Sequence, residues 1–260
     1  MQLALPALSI SVLRAFLTKE VLVMAELWNN VLENTTFVLV CVGIVVGLSL
    51  LSRFAERFMP GKRRVTPARR VSIIGICAAI ATVLHILDFP LLFIAPEFYK
   101  LDFSELPVML CGFYLGPSAA VACEGVKILL KLLFKGTSTA FVGDFANFFV
   151  GCCFALPATI WYHVHKNKYG AVLGLVLGTL VMTTLGTAFN AVYLLPKFSQ
   201  LFGLEMSAII GMGAKVNPAV RNVATFVLIC VAPLNLLKGT VVSILTLLLY
   251  KRVARPLFSK

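Results

Sequence analysis

The sequence predicts an all-α integral membrane protein with six or seven spans, and its composition carries that prediction. Of the 260 residues, 60% are hydrophobic and only 13% are charged, whereas soluble domains carry about a quarter charged residues. The mean hydropathy is +0.95. Such a chain cannot cover a folded core with a water-facing surface, which excludes a soluble enzyme. At about 20 apolar residues per span, its length leaves room for six or seven helices.

The first strong apolar segment, Phe37 to Leu51, predicts one transmembrane helix within an N-terminal extension covering residues 1–70. Residues 1–30 carry charges that interrupt any span. They also lack the basic start and small-residue cleavage site of a signal peptide, so a surface-lying helix or a poorly ordered lead is favoured. The extension ends in GKRRVTPARR, where five of ten residues are basic. A short basic loop beside a span marks the cytoplasmic side.

Six apolar stretches follow this basic loop and predict a six-helix domain over residues 71–260. In chain order they are Val71–Leu92, Leu106–Leu115, Ser118–Phe134, Asp144–Tyr162, Ala171–Leu195 and 222–250. Basic residues also cluster at 163–170 and after residue 250, and all three basic clusters fall on one side when the spans alternate. This pattern predicts a multi-pass protein of the cell membrane with a cytoplasmic C-terminus. Residues 196–217 would then form the longest outer loop.

Motifs for ATP hydrolysis, metal binding and catalysis are missing from the sequence. It contains no GxxxxGK[ST] and no HExxH, and its seven cysteines form no CxxC. The net charge of +12 is accounted for by the basic loops and does not indicate nucleic acid. The main acidic candidate inside a span, Glu124, lies three residues before Lys127, a spacing that favours a buried structural pair. We therefore expect no enzyme, no metal site and no bound cofactor.

Several polar side chains fall where the outer half of the membrane is expected. Lys238 lies 13 residues before Lys251, about 20 Å from the inner interface, and Asn235 lies on nearly the same helical face. Asn190 lies about 30 Å up its own helix, near the outer rim. Together with polar outer loops, these residues indicate a pocket open to the outside. Interhelical hydrogen bonding and lysine snorkelling are the alternative, which is favoured for Asn190 taken alone.

Small residues form a strip on the first helix after the basic loop, toward its cytoplasmic end. The strip consists of Gly75, Ala78, Ala79 and Thr82. Small residues at three- and four-residue spacing let another helix approach closely, so the strip predicts either a partner-docking face or internal packing. A second strip consists of Gly170, Gly174 and Gly178 and is expected to serve internal packing.

Four blocks of sequence carry a resemblance to a known family. In chain order they are KLDFSELPVMLCGFYLGPSAA, KGTSTAFVGDFANFFVG, NAVYLLP and APLNLLKG. They resemble the riboflavin-specific substrate-binding (S) components of energy-coupling factor (ECF) transporters, over about residues 70–252. The resemblance implies a six-helix bundle in membrane lipid that captures riboflavin outside the cell. It also implies three partners, a transmembrane coupling subunit and two ATPase subunits, while residues 1–70 receive no role.

The resemblance also implies which residues contact the ligand. The matching positions are Leu101, Asp102, Phe103, Ser104, Asn190, Asn235 and Lys238. The two amides and the ammonium group would hydrogen-bond the polar edges of the isoalloxazine ring, between aromatic and apolar walls. The coupling subunit would dock on the small-residue strip that includes Gly75 and Ala79. Two alternatives stay open, an S component for another vitamin or flavin and a stand-alone secondary carrier.

Overall fold

The computed structural model describes residues 35–59, 65–137 and 141–258, and this part of the chain is almost entirely helical. The prediction of an all-α membrane protein is confirmed. Residues 1–30, most of the basic loop, and Ser138 and Thr139 of the second resembling block lie outside the described residues. Within the described residues, five helices are long and apolar enough to cross a membrane.

Helix α1, Thr35–Arg57, is longer than the predicted span, which ended at Leu51. The chain divides into two compact units inside this helix, between Val46 and Gly47. The part before the division carries exposed apolar side chains, among them Leu39 and Val42, which suit a lipid environment. The predicted boundary at residue 70 stays a prediction.

Helix α2, Pro67–Ile86, begins with a proline at its first position, where the missing N–H costs nothing. The prediction that this span continues to Leu92 is wrong. After Ile86 the chain forms a short antiparallel hairpin, in which β1, Phe89–Pro90, pairs with β2, Lys100–Leu101. Pro90 disfavours helical backbone at the preceding residue, which explains why the apolar stretch turns here.

Each of the other predicted stretches also forms a helix. Helix α3, Glu105–Leu115, and helix α4, Pro117–Lys135, are joined at Gly116. Helices α5, Val142–Val164, and α6, Lys168–Phe189, follow. At 1.5 Å per residue, α3 reaches only about 16 Å, half the hydrocarbon core.

The prediction of a long outer loop at 196–217 is wrong, because most of it is helical. A π-helical turn, Asn190–Leu194, continues α6 into α7, Leu195–Phe202, and α8 follows at Met206–Val216. Hydropathy misses these helices because neither is long enough to span a membrane. The last element starts as α9, Val223–Phe226, passes through a π-helical turn at Val227–Val231, and becomes α10, Ala232–Phe258.

The bundle core depends on a close contact between α5 and α6. A Cβ atom at Gly178 would lie 2.5 Å from the carbonyl oxygen of Phe154, and one at Gly174 would lie 2.7 Å from that of Ala158. Only glycine permits backbones to approach this closely. The expectation that this glycine strip serves internal packing is confirmed.

Glu56, near the end of α1, caps the N-terminus of α4. Its Oε1 accepts hydrogen bonds from the Ser118 backbone N–H, at 2.9 Å, and from the Ser118 hydroxyl, and Arg70 Nη2 lies 3.7 Å away. Helix α4 has no capping side chain of its own, since Gly116 precedes it. A carboxylate at a helix N-terminus satisfies orphan N–H groups and interacts favourably with the helix dipole.

Glu56→Ala should therefore lower the free energy of unfolding by about 1–2 kcal/mol, because the first turn of α4 loses its cap. The measurement is thermal unfolding of the purified protein in detergent, where a fall of a few degrees is expected. Glu97→Ala, at an exposed carboxylate, is the matched control. Equal melting temperatures for the two variants would contradict the capping role.

Candidate ligand-binding site

A cavity of about 130 Å³ lies at one end of the described bundle. Its walls come from four parts of the chain, residues 98–100, 142–150, 190–198 and 231–238. The basic residues at 163–170 lie at the opposite end of α5, about 25 Å away along the helix. Three of the predicted site residues, Asn190, Asn235 and Lys238, line this cavity. These residues are far apart in sequence, and the packing of α5, α6 and α10 brings them together.

Asn190 is held by hydrogen bonds on both sides of its amide. Its Oδ1 accepts from the Tyr99 hydroxyl at 2.7 Å, and its Nδ2 donates to the Gly186 carbonyl oxygen at 2.9 Å. Burial raises the pKa of the Tyr99 phenol, so the hydroxyl keeps its proton and acts as the donor. Because the Asn190 oxygen is engaged and one N–H remains, this residue presents a donor to the cavity.

Asn235 differs from Asn190 because its Nδ2 is buried and has no hydrogen-bond partner among the described residues. Gly186 lies beside it, and a Cβ atom built there would be 3.1 Å from this nitrogen. A buried donor without a partner costs about 1–3 kcal/mol, and such groups in native structures are commonly satisfied by a ligand or water. Asn235 is thus a second donor available to a molecule in the cavity.

Lys238 supplies a positive charge to the same wall. Its Nζ donates to Asp102 Oδ2 at 3.0 Å and forms an ion pair with Glu105 Oε2 at 2.8 Å. Burial alone would raise the pKa of Asp102, but the Lys238 ammonium holds that pKa well below its usual range. Asp102 also accepts from the Ser104 backbone N–H at 2.8 Å and lies 3.2 Å from His85 Nδ1. The lysine is therefore fixed at the cavity by carboxylates lying behind it.

A second buried lysine extends this charge arrangement away from the cavity. Lys127 Nζ lies 3.3 Å from Glu105 Oε1, donates to Ser104 Oγ at 3.0 Å, and forms an ion pair with Glu124. The sequence-based expectation of a buried structural pair between Glu124 and Lys127 is confirmed. Neither residue lines the cavity.

The LDFS residues were expected to contact ligand, but none of them lines the cavity in this structure. Leu101 is buried in an apolar cluster with Leu195 and Leu234, which do line it. Asp102 reaches it only through Lys238. These residues lie in the second strand of the hairpin and the turn before α3, where the exposed fractions of Asp102 and Ser104 are 2% and 0%.

Aromatic rings form another part of the cavity wall that sequence reasoning missed. Phe98 stacks on Phe198, with ring centroids 5.4 Å apart and an interplanar angle of 20°, and both line the cavity. Phe226 lies behind Phe98, nearly parallel to it at 6.5 Å. Phe98 and Tyr99 precede β2, so the hairpin brings them to the site. The sequence signal was the pair Phe98-Tyr99 directly before the first resembling block.

The small-residue strip on α2 divides between two faces. Ala78 and Thr82 are buried, and the Thr82 hydroxyl contacts the Lys127 carbonyl oxygen of α4 at 3.3 Å. The bundle itself covers these two residues, and a partner-docking role for them stays a prediction. Gly75 and Ala79 are exposed, and a Cβ atom at Gly75 would meet nothing within 4 Å.

Metal binding receives no support in the described residues, where no group of three His, Cys, Asp or Glu side chains is placed to hold an ion. The arrangement instead suits an uncharged, largely aromatic ligand with hydrogen-bond acceptors along one edge. Two amide donors and an ammonium group converge on one wall, and apolar side chains surround them.

Comparison with known proteins agrees with this geometry. Residues 69–250 match the family model "ECF transporter, substrate-specific component". The chain is 35% identical to "Riboflavin transporter RibU" of Staphylococcus aureus (strain TCH60) over 201 residues, which cover 75% of this chain and 97% of that protein. It is 29% identical to "Riboflavin transporter FmnP" of Bacillus subtilis (strain 168) over 185 residues, 70% of this chain and 90% of that one.

A solved structure is also similar to the chain. It is described as the S component of a bacterial ECF transporter, and the TM-score is 0.58 at 32% sequence identity. The match covers 75% of this chain and 100% of that structure.

The contrast between the two asparagines leads to a test on the ligand-free protein. Asn235→Leu should leave its free energy of unfolding unchanged or raise it by about 1 kcal/mol, because an unpaired buried donor is removed. Asn190→Leu should lower it by about 1–3 kcal/mol, because the Tyr99 hydroxyl loses its acceptor. Thermal unfolding of both variants checks this, and a similar loss in both would contradict the assignment.

Proposed function

The chain belongs to the family of substrate-specific (S) components of ECF transporters, and from that premise we propose that it captures riboflavin from outside the cell. It then delivers the vitamin through an ATP-driven ECF transporter. The observation that carries the proposal is the row of donors on one cavity wall, formed by Asn190, Asn235 and Lys238. These donors match a ligand whose edge is rich in acceptors.

Riboflavin has such an edge. The isoalloxazine ring carries two carbonyl oxygens and unprotonated ring nitrogens, which accept hydrogen bonds, and its two faces are apolar. Asn190, Asn235 and Lys238 would take the acceptor edge, while Phe98 and Phe198 would pack against the ring system. The predicted contacts at Leu101, Asp102, Phe103 and Ser104 would act from behind this wall rather than by lining it.

The pairing of buried charges supports an external energy source over a stand-alone secondary carrier. A carrier coupled to protons or sodium needs an acidic group that is free to bind the coupling ion, and therefore one that can separate from any lysine paired with it. Four buried acidic residues of the bundle each have a lysine within 3.3 Å. They are Asp102, Glu105, Glu124 and Asp144. We therefore assign the energy step to partners, a transmembrane coupling subunit and two ATPase subunits.

The docking of those partners would use the exposed half of the α2 strip. Gly75 and Ala79 face outward, and small side chains there allow a partner helix to approach closely. In the proposed topology this strip lies near the cytoplasmic side, together with the basic residues at 163–170 and a cytoplasmic C-terminus. The free energy of docking must differ between the riboflavin-loaded and the empty protein. A ligand shifts an equilibrium between two states only if its affinity for the two states differs.

The first test is the absorbance spectrum of the protein purified from a riboflavin-making host. We expect a yellow preparation with near-stoichiometric flavin. Asn235→Ala and Lys238→Ala should each weaken riboflavin binding tenfold or more, on the order of 1.4 kcal/mol. Lys215→Ala, at an exposed lysine of α8, serves as control. A colourless protein that also fails to quench riboflavin fluorescence would contradict the ligand, and the search would move to other vitamins or flavins.

The second test separates capture from delivery. Ala79→Leu should reduce riboflavin uptake by cells tenfold or more, because it fills the surface on which a partner helix would pack. Riboflavin affinity of the purified variant should stay within twofold of wild type, since the residue lies away from the cavity. Ile80→Leu, at an exposed apolar position on the same helix, is the control. Undiminished uptake by the Ala79→Leu variant would rule out docking at this strip.

A further inference from the structure

We infer that Glu105 is a positioning residue for ligand binding, which acts on the ligand through Lys238. The inference rests on the proposed riboflavin function and names a residue that does not itself line the cavity. Glu105 opens α3, directly after the LDFS segment, and its exposed fraction is 1%. It lies between two buried lysines, Lys127 and Lys238, with one carboxylate oxygen toward each.

The geometry gives Glu105 two different contacts. Its Oε2 lies 2.8 Å from Lys238 Nζ, and its Oε1 lies 3.3 Å from Lys127 Nζ. The contact to Lys238 is the shorter of the two, and it joins α3 to α10. Lys127 has further partners in Glu124 and Ser104, so it does not depend on Glu105 alone.

Lys238 depends on Glu105 more strongly, because its other carboxylate is shared. Asp102 Oδ2 contacts both Lys238 Nζ, at 3.0 Å, and His85 Nδ1, at 3.2 Å. A lysine side chain is long and flexible, and holding its ammonium in one place costs conformational entropy. Two carboxylates behind the ammonium fix its position and stabilise its charge, and they leave hydrogen-bonding capacity directed at the cavity.

A purely structural role predicts a different pattern of effects. If Glu105 only balanced the charge of Lys127, then Glu124, which pairs with Lys127 and not with Lys238, would be its equivalent. Glu124 is equally buried and lies one salt bridge further from the cavity. Removing the charge of either residue would then disturb stability and binding to the same degree. Glu124→Gln is for this reason the matched control for Glu105→Gln.

The experiment measures riboflavin affinity by fluorescence quenching and, on the same preparations, thermal unfolding without ligand. We expect Glu105→Gln to weaken binding five- to tenfold and Glu105→Asp, which keeps the charge, to weaken it less. Glu124→Gln should leave affinity within twofold of wild type even if its melting temperature falls as far. In a Lys238→Met background, adding Glu105→Gln should weaken binding by no more than a further twofold, because the group it positions is already missing.

Two results would overturn the inference. One is an equal loss of affinity in Glu105→Gln and Glu124→Gln, and the other is an unchanged affinity in Glu105→Gln. A wild-type protein that binds no riboflavin counts against the proposed function itself. Wild-type binding with an unaffected Glu105→Gln variant counts against the positioning role alone, so the two failures are distinguishable.

Discussion

The salt bridges of Lys238 with Asp102 and Glu105 are the constraint on which the cavity end of the protein depends. A charge placed in an apolar bundle is costly unless it is paired, and breaking such a pair by removing one partner leaves an uncompensated charge. Pairing Lys238 requires the hairpin and the start of α3 to lie against α10. That placement brings Phe98 and Tyr99 over the helices, and the Tyr99 hydroxyl in turn orients Asn190. One electrostatic requirement therefore positions two donors and an aromatic wall.

At the opposite end of the bundle, a buried polar group also needs a carboxylate partner, but here the group is the N-terminus of a helix rather than a lysine. The turn at Gly116 leaves the first N–H groups of α4 without partners, and Glu56 supplies the acceptor from 62 residues away. The family model begins at residue 69, so this contact comes from a segment outside the family region. The end of α1 is in this way built into the bundle rather than appended to it.

The sequence was sufficient to predict the features that depend on local composition. It was not sufficient for the residues whose role depends on tertiary contacts. Basic loops and apolar stretches located the helices, and spacing from a basic cluster placed Asn235 and Lys238 together. Glu105 and Tyr99 were missed because each acts on a residue more than 90 positions away. Gly75 and Ala78 were placed on one strip because their spacing puts them on the same side of α2. Spacing alone cannot show that a neighbouring helix covers Ala78 and leaves Gly75 exposed. Continued hydropathy through Leu91 and Leu92 concealed the end of α2 at Ile86.

The two π-helical turns, Asn190–Leu194 and Val227–Val231, both lie on elements that line the cavity. Each adds one residue to a helical repeat, and one residue corresponds to about 100° of rotation around an α-helix. Side chains beyond such a turn point in directions that an uninterrupted helix of the same sequence would not give them. The direction in which Phe198 points therefore depends on the extra residue in the turn before it. An ungapped alignment with a relative that lacks this turn would pair Phe198 with a position facing elsewhere.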